Sequence, residues 1–595
     1  MHIINMISII PVSTTKFRAL GWVQDPSNLV SLCDVVAIFD KNSKKHKELI
    51  EKSIPTLVKS EDGQTKLLNA LNAEPLKIKY NDLVGTAFIP RSASRCNGII
   101  QAAIKGQIRS FIGDWPADNF LRWAHCFGFV KYNYYDDTFE ITQNGLKLTA
   151  ARTTATNNLS TKEKELLINA ILAYPPAIRI LSLLYEDKSN HLTKFELGKN
   201  LGFIGEEGFT SMPQNILIRA LCNTDSNKEK NKMKTDWEGS SDKYARMIAT
   251  WLEKLGLVEK VEKNVCANMF GKIYNETIGH AYTITPNGIK CLRIATGKSK
   301  HKRIAKNVFW EMFATKGTDR DYLRTRRAII LKILSESKGG INSDQIIIRL
   351  NNFGLNERKE TVLDDINGLI NIGINIIIKN NKYYFDDYIN DFIIPKPENL
   401  IKSDFFKIKD DVRYSLKLLS HDYLSLIDLA YDSSQNRLFE MKTMELLTQE
   451  FEFNGLHLGG SRKPDGIIYT TELLKNYGVI IDTKAYSNGY NLPISQADEM
   501  ERYIAENQVR DENINSNKWW ENFGDDISDF YFMFISGHFK GKYQEQIRRI
   551  SLNKKIPGIA MKIIDLLLLT ERYKNNEIDH QKFKEIFYNN ASLIN

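Results

Sequence analysis

The sequence predicts a multidomain chain: three α+β winged-helix-like (helix-turn-helix) units in series, then one α/β domain. Three observations predict it. The chain has 595 residues, more than one hydrophobic core can serve, so three to five domains are expected. A pattern of helix, hairpin and helix recurs in the first half, a seven-residue stretch of it aligning at an offset of 143. The last third instead carries a short apolar run that opens on a glycine and closes on Asp-Thr-Lys, the pattern of a buried strand.

Composition narrows the class. Hydrophobic residues at 42% and charged residues at 26% sit near the globular average and argue against a wholly disordered chain. No apolar run approaches the roughly 18 residues needed to span a bilayer. The opening MHIINMISIIPV has no basic residue and meets Pro11 early, which argues against a secretory signal. Six cysteines (Cys33, Cys96, Cys126, Cys222, Cys266 and Cys291) are scattered without a CxxC pair. A disulfide framework and a structural zinc are therefore not expected, and reduced thiols in the cytoplasm are. Net charge is +9 overall, but +13 over the first 400 residues and −4 over the last 195. A basic first part suits a polyanion, though a solvated basic surface would read the same way.

The first unit shows its pattern in FLRWAHCFGFVKYNYYDDTFEITQNGLKLTAA, from Phe120. Helix-period apolar residues stop at a glycine turn, and a β-rich hairpin then leads into I-T-x-N-G-[LI]-K. The second unit repeats this in YARMIATWLEKLGLVEKV and AYTITPNGIKCLRIA, with Ile141–Lys147 aligning on Ile284–Lys290. Upstream, HLTKFELGKNLGFIGEEGF reads as a helix–turn–helix entry with Gly202 in the turn. In the third unit, two helices flank a Gly-Gly turn and VLDDINGLINIGINIIIKNNKYYF adds a helix and a hairpin. Many winged helices make only protein contacts, and this one is expected to. The breaks fall at Leu159–Lys164, at the basic connector Gly297–Arg303 and at PKPEN, Pro395–Asn399, whose prolines cannot continue a helix. Asn223–Lys234 reads as a polar surface loop. The expected bounds are 1–158, 159–296 and 297–394 for the three units, 395–401 for a linker and 402–595 for the last domain.

One motif is a decoy. ATGKSK looks like the end of a phosphate-binding loop, but the first glycine of that motif would fall at Leu292 and the segment follows a helix. Nucleotide binding is not supported.

The last domain holds the chemistry, in GGSRKPDGIIYTTELLKNYGVIIDTKAYS. Asp465 follows Pro464, and a strand opening at Gly478 would deliver Asp482 and Lys484 at its end. Residues two apart on a strand share a face, so Asp482 and Lys484 project together while Thr483 turns away and offers its carbonyl. Two carboxylates and a carbonyl are hard oxygen ligands suited to Mg²⁺, with waters completing the octahedron. Lys484 would orient or deprotonate an attacking water, and phosphodiester hydrolysis is the reaction such a group serves. A turn carboxylate beside a strand-end Asp–Lys ion pair would show the same letters. The strand context, and Glu440 on the preceding helical RLFEMKTMELL, favour the catalytic reading.

Nearly the whole chain resembles the FokI family of type IIS restriction endonucleases. The resemblance is carried by GWVQDP, NFLRWAH, YPPAIRIL, LTKFELGKNLGF, DWEGSSDKYARM, RTRRAIIL, GGSRKPDG, VIIDTKAYSNGYNLPI and QADEMERY. It implies three α+β winged-helix-like recognition subdomains followed by an α/β PD-(D/E)xK restriction-endonuclease-like nuclease domain. It also implies that Asp465, Asp482 and Lys484 are catalytic, that Asp465, Asp482 and Thr483 hold Mg²⁺, and that Glu440 is a supporting acid. Asp498 and Arg502 stand four apart in QADEMERY, which alone reads as an intrahelical ion pair. The resemblance implies instead that they pair across two nuclease domains, since one such site cuts one strand.

For DNA recognition the resemblance points to Gln24 in the N-terminal arm, Arg91, Gln107 and Trp115 in the first subdomain, and Glu238 and Lys243 in the second. Arg or Lys suits guanine, Gln adenine and Glu the cytosine amine, though any one of them reads equally as a phosphate contact or surface ion pair. Asp25, Thr235 and Asp236 depart from the family pattern, so the site implied is GGATG or a variant of it. The activity implied is Mg²⁺-dependent cutting of both strands at a fixed distance outside a short asymmetric site. A bacterial cytoplasm and a companion DNA methyltransferase go with it. The alternatives are a DNA-binding regulator with a dead nuclease, against which the intact Asp465, Asp482 and Lys484 argue, and a nicking enzyme, against which Asp498 and Arg502 weigh.

Overall fold

The computed structural model describes residues 7–12, 18–85, 95–152, 158–187, 189, 191–269, 272–299, 303–398, 400–524 and 526–588. The chain divides into two compact units. One comprises Met1–Phe203, Lys243–Glu262 and Gly279–Ser403, and the other Ile204–Asp242, Lys263–Ile278 and Asp404–Asn595.

Within the first unit the sequence repeat is a repeat of hydrogen bonds. In the first copy the helix Asp114–Cys126 leads through the strands Val130–Asn133 and Thr138–Ile141 into the helix Gln143–Ala151. Thr142 caps that last helix. Its hydroxyl donates to the Gly128 carbonyl at 2.6 Å and accepts from the Gly145 N–H at 3.1 Å. In the second copy Thr285 caps the helix Pro286–Ala295 with the same pair of bonds, to Gly256 at 2.9 Å and from Gly288 at 3.0 Å. The glycine of the shared I-T-x-N-G is required by packing. A Cβ at Gly145 would stand 2.3 Å from the Phe129 carbonyl oxygen, and one at Gly288 would stand 2.1 Å from that of Leu257.

The two copies meet at equivalent residues. Trp123 and Trp251 each stand five residues before the turn glycine of their copy, and they stack at 4.7 Å between centroids with 17° between planes. Both are fully buried. Such a pair is worth about 0.5–1.5 kcal/mol beyond the area it buries.

The third winged-helix unit has the helices Arg320–Glu336, Ser343–Asn351 and Lys359–Asn371 and the hairpin Ile376–Lys379 with Lys382–Phe385. Asn380 and Asn381 turn the hairpin with φ of 51° and 57°, the left-handed pair a tight two-residue turn requires. Its core holds a buried ion cluster. Asp365 accepts from Arg326 Nε at 2.6 Å and from Arg327 Nε at 2.7 Å. Burial works against the Asp365 carboxylate, but the two guanidiniums outweigh it and hold its pKa below the usual value.

The expected linker is anchored. Ile394–Pro395 forms a parallel strand pair with Ile9–Ile10, and the Lys396 N–H donates to the Ile10 carbonyl at 2.8 Å. Proline is tolerated there because this short strand lies at a sheet edge. Past the prolines, Lys402 Nζ bonds Glu357 at 2.8 Å and the Ser403 N–H donates to Asp319 at 2.7 Å.

In the second unit, part of the expected loop 223–234 is helical, over Asn227–Asp236. It buries no residue, so apolar periodicity is absent. The Ser226 side chain caps the Glu229 N–H, and Lys230 and Lys234 pair with Glu276 at 3.6 and 2.8 Å. Capping and charge pairing make this helix, signals that a polar stretch hides. The last part of the chain is built on a five-stranded sheet in the order Asn454–His457, Gly466–Tyr469, Tyr477–Lys484, Asp529–Ser536 and Gly558–Lys562. The first two pairings in that order are antiparallel and the last two are parallel.

Candidate active site and nucleic-acid interface

The central strand Tyr477–Lys484 is buried along almost its whole length, with Val479, Ile480 and Ile481 fully so. Its neighbour Gly466–Tyr469 pairs it only as far as Ile481, so Asp482, Thr483 and Lys484 run past the end of that ladder. Asp465 fills the gap, its Oδ2 accepting from the Thr483 N–H at 2.7 Å and from Thr483 Oγ1 at 2.9 Å. The Thr483 hydroxyl is therefore turned to Asp465 rather than away from the site, because a carboxylate has replaced the missing strand partner. The N–H and C=O of one strand residue point to the same side, so the Thr483 carbonyl faces that side as well. Lys484 Nζ meets Asp482 Oδ2 at 2.7 Å. Asp465 is fixed through its own carbonyl, which accepts from the Leu458 N–H at 2.8 Å and the Gly459 N–H at 3.2 Å.

These groups perturb one another. Burial raises the Asp465 carboxyl well above the usual range, and the charges of Asp482 and Glu440 add to it, against Lys484 and the Thr483 N–H. Burial raises Asp482 too, opposed chiefly by Lys484. For Lys484, burial disfavours the ammonium, but Asp482 and Asp465 outweigh it and keep the side chain charged. Glu440 lies on the helix Asn436–Glu445 and contacts His457 Nε2 at 3.3 Å.

The donor set suits a small hard cation. Two buried carboxylates whose proton affinity burial raises, Asp465 further raised by the charge of Asp482, are relieved by positive charge, and the strand carbonyl supplies a third oxygen. Among the described residues no group of three or more His, Cys, Asp or Glu forms a ready cage. Mg²⁺ binds in that way, through one or two carboxylates, keeping several waters.

Two of the recognition candidates in the first unit, Gln24 and Trp115, are linked by one amide. Asn119, fully buried, accepts from the Gln24 N–H at 3.1 Å through Oδ1 and donates through Nδ2 to the Trp115 carbonyl at 3.0 Å. The Gln24 side chain also meets the buried Tyr244 hydroxyl. Asp25, Gln107 and Trp115 are exposed. The Asp25 carboxyl is raised by the crowding around it, in spite of Arg246. Arg91 lies outside the described residues. Lys243, half-buried on the helix Ser240–Lys254, is also in the first unit. Thr235, Asp236 and Glu238 belong to the second; the first two are exposed at a helix end, and Glu238 is buried.

Four family models match this chain. FokI recognition-domain subdomain 1 covers residues 18–151, subdomain 2 covers 163–300, the FokI D3 domain covers 313–381 and the FokI cleavage domain covers 402–594. The type II restriction enzyme FokI of Planomicrobium okeanokoites is 46% identical over 581 residues, 97% of this chain and 99% of that one. This chain belongs to the FokI family of type II restriction endonucleases. StsI of Streptococcus sanguinis, also a type II restriction enzyme, is 33% identical over 592 residues, 97% of this chain and 96% of that one. The solved structure of restriction endonuclease FokI matches with a TM-score of 0.89 at 46% identity, covering 96% of this chain and 99% of that one. That of FokI bound to DNA matches with 0.90, also at 46% identity, covering 97% and 99%. The architecture is that of FokI, recognition subdomains followed by a cleavage domain. Type II restriction endonucleases generally use a divalent metal.

Asp498 and Arg502 lie on the helix Ile494–Val509 of this FokI-family cleavage domain. The intrahelical pair that their spacing suggests does not form. Asp498 meets Arg549 on the helix Tyr543–Lys554 at 2.6 Å, and Arg502 meets Glu499 at 3.1 Å. Nearby residues with more reachable opposite charges win. Two residues escaped sequence reasoning. Asn119 and His457 act through partners 95 and 17 residues away, and no local spacing signals either.

Proposed function

We propose that this chain is a type IIS endonuclease that binds a short asymmetric duplex site, GGATG or a variant of it, and hydrolyses both strands at a fixed distance outside it. Two nuclease domains pair transiently for the cut, through Asp498 and Arg502. The observation that carries the reading is the convergence of Asp465, Thr483, Asp482 and Lys484 where the central strand outruns its neighbour. Asp465, Asp482 and the Thr483 carbonyl would hold Mg²⁺, which when bound stabilises charge on a phosphate oxygen. Thr483 fixes the Asp465 carboxylate by two hydrogen bonds, so this ligand is aimed before any cation arrives. Lys484, kept charged by Asp482 and Asp465, is a hydrogen-bond donor in this arrangement. It would orient the attacking water or a phosphate oxygen rather than take a proton. The basic charge of the first 400 residues supports binding to the duplex. A companion methyltransferase that protects host sites in a bacterial cytoplasm is the genetic partner such an enzyme requires.

The test is to incubate the purified protein with Mg²⁺ and a plasmid of known sequence, and to map both cut ends. Paired cuts at one offset from one short motif are expected. Specific binding without cutting, unchanged by Asp482→Ala, would overturn the enzyme reading in favour of a regulator. Cuts in one strand only would overturn the pairing.

A further inference from the structure

The strand Asn454–His457 ends beside the two acids that the site brings together from other elements. Its continuation holds Asp465 by the backbone, through the Leu458 and Gly459 N–H groups at 2.8 and 3.2 Å. Its last side chain, His457, reaches Glu440 on the neighbouring helix, Nε2 to Oε2 at 3.3 Å. A carboxylate oxygen can only accept, so Nε2 carries the proton. His457 is 7% exposed, and its Nδ1 is buried without a hydrogen-bond partner among the described residues. The ring is also walled in. Gly459 has φ of +51°, and a Cβ there would stand 2.7 Å from His457 Cε1. The Trp237 ring meets His457 edge-on at 6.4 Å and 86°, and the Arg437 guanidinium covers Trp237 at 4.5 Å from its centroid.

We infer that His457 is a positioning residue of the nuclease site, holding the Glu440 carboxylate toward the Asp465–Asp482 pair. One strand end thus aligns two acids by two different means. Gly459 is glycine because His457 must lie where a side chain would be, which gives the first glycine of GGSRKPDG a physical reason. A histidine buried only to fill space would not need a carboxylate on its Nε2. The inference rests on the reading of this site as a Mg²⁺-dependent nuclease.

The experiment uses the full-length protein and the variants His457→Ala, His457→Gln, Glu440→Ala and the double variant His457→Ala/Glu440→Ala. Mg²⁺ binding is measured by titration calorimetry and by the Mg²⁺ concentration that half-saturates plasmid cutting. Binding to a GGATG duplex without metal checks that each variant is folded. Loss of an outer-shell partner typically costs 10–100-fold in metal affinity or activity, so His457→Ala should shift the half-saturating Mg²⁺ concentration by at least tenfold. His457→Gln, whose amide N–H can reach the same carboxylate, should recover most of that shift. The double variant should be no worse than Glu440→Ala alone. A wild-type Mg²⁺ profile in His457→Ala, failure of His457→Gln to recover a folded variant, or additive losses in the double variant would each overturn the positioning role. A wild-type protein that binds the duplex but ignores Mg²⁺ would overturn the nuclease reading itself, and this inference with it.

Discussion

Asp498 and Arg502 stand one helical turn apart and are turned to different partners, Arg549 at 2.6 Å and Glu499 at 3.1 Å. Asp498 keeps 61% of its side chain exposed and Arg502 keeps 43%. Exposed pairs of this kind contribute less than about 1 kcal/mol, so both residues can exchange partners at little cost. Reversing either charge, in Asp498→Arg or Arg502→Asp, is expected to leave the melting temperature almost unchanged. Double-strand cutting should fall at least tenfold while duplex binding persists. On the proposed pairing of nuclease domains, mixing the two variants should restore cutting, measured on linearised plasmid, because opposite charges would then face each other.

Lys484→Ala removes a donor from the site without removing a ligand. Loss of such a preorganised donor typically costs about 10²–10³ in rate. Single-turnover cutting should fall by that factor, with duplex binding unchanged in a band-shift titration. Asp482→Ala removes the salt bridge and a ligand together and should abolish cutting.

The buried Asp365 cluster predicts acid sensitivity. Its carboxyl is held below its ordinary value, so its stabilisation is complete above about pH 4, where an unfolded Asp is ionised. The stabilisation is lost as pH falls through the lower folded value. Asp365→Ala should cost about 3–5 kcal/mol, because two buried guanidiniums lose the carboxylate they share. Urea denaturation followed across pH 2–6 would show both the lower stability and the loss of its acid limb.

Gly145→Ala and Gly288→Ala each force a methyl group onto a carbonyl oxygen, at 2.3 and 2.1 Å. Overpacking of this kind costs about 1–3 kcal/mol. Gly279→Ala meets nothing within 4 Å and should change stability by less than about 0.5 kcal/mol. Thermal melts of the three variants would check the ranking.

Asn119→Ala should weaken duplex binding although Asn119 is buried beneath the surface that carries the candidates. It orphans the Gln24 N–H, at about 1–3 kcal/mol, and removes the side-chain bond to the Trp115 carbonyl. Both residues then lose their common support. Band shifts against GGATG and single-base variants would read the change.

Much of this was legible in the sequence, and the reason differs from element to element. The repeat was visible because Thr142 and Thr285 cap their helices with the same bonds, and Gly145 and Gly288 are excluded from bearing a side chain by the same carbonyl. The strand ending at Lys484 was visible because Val479–Ile481 are fully buried, which forces an apolar run. The helix Asn227–Asp236 was hidden because none of its residues is buried, so nothing imposes a period. The partners of Asp498 and Arg502 were hidden because side-chain pairing among many exposed charges is decided by reach. Asp465 was found as a motif letter, but its seat on the Thr483 N–H depends on where one strand stops relative to another. Register of that kind is a tertiary property.

The pinned prolines bear on reach. The stretch that would serve as a leash is tied at its two ends, by the Lys396 N–H on Ile10 and the Ser403 N–H on Asp319. Let go from Lys396 to Ser403 and fully extended at about 3.3–3.6 Å per residue, it spans at most roughly 29 Å. Along a duplex that rises about 3.4 Å per base pair, this is roughly eight pairs. On the proposed type IIS reading, rope length and the knots undone would set the distance from site to cut.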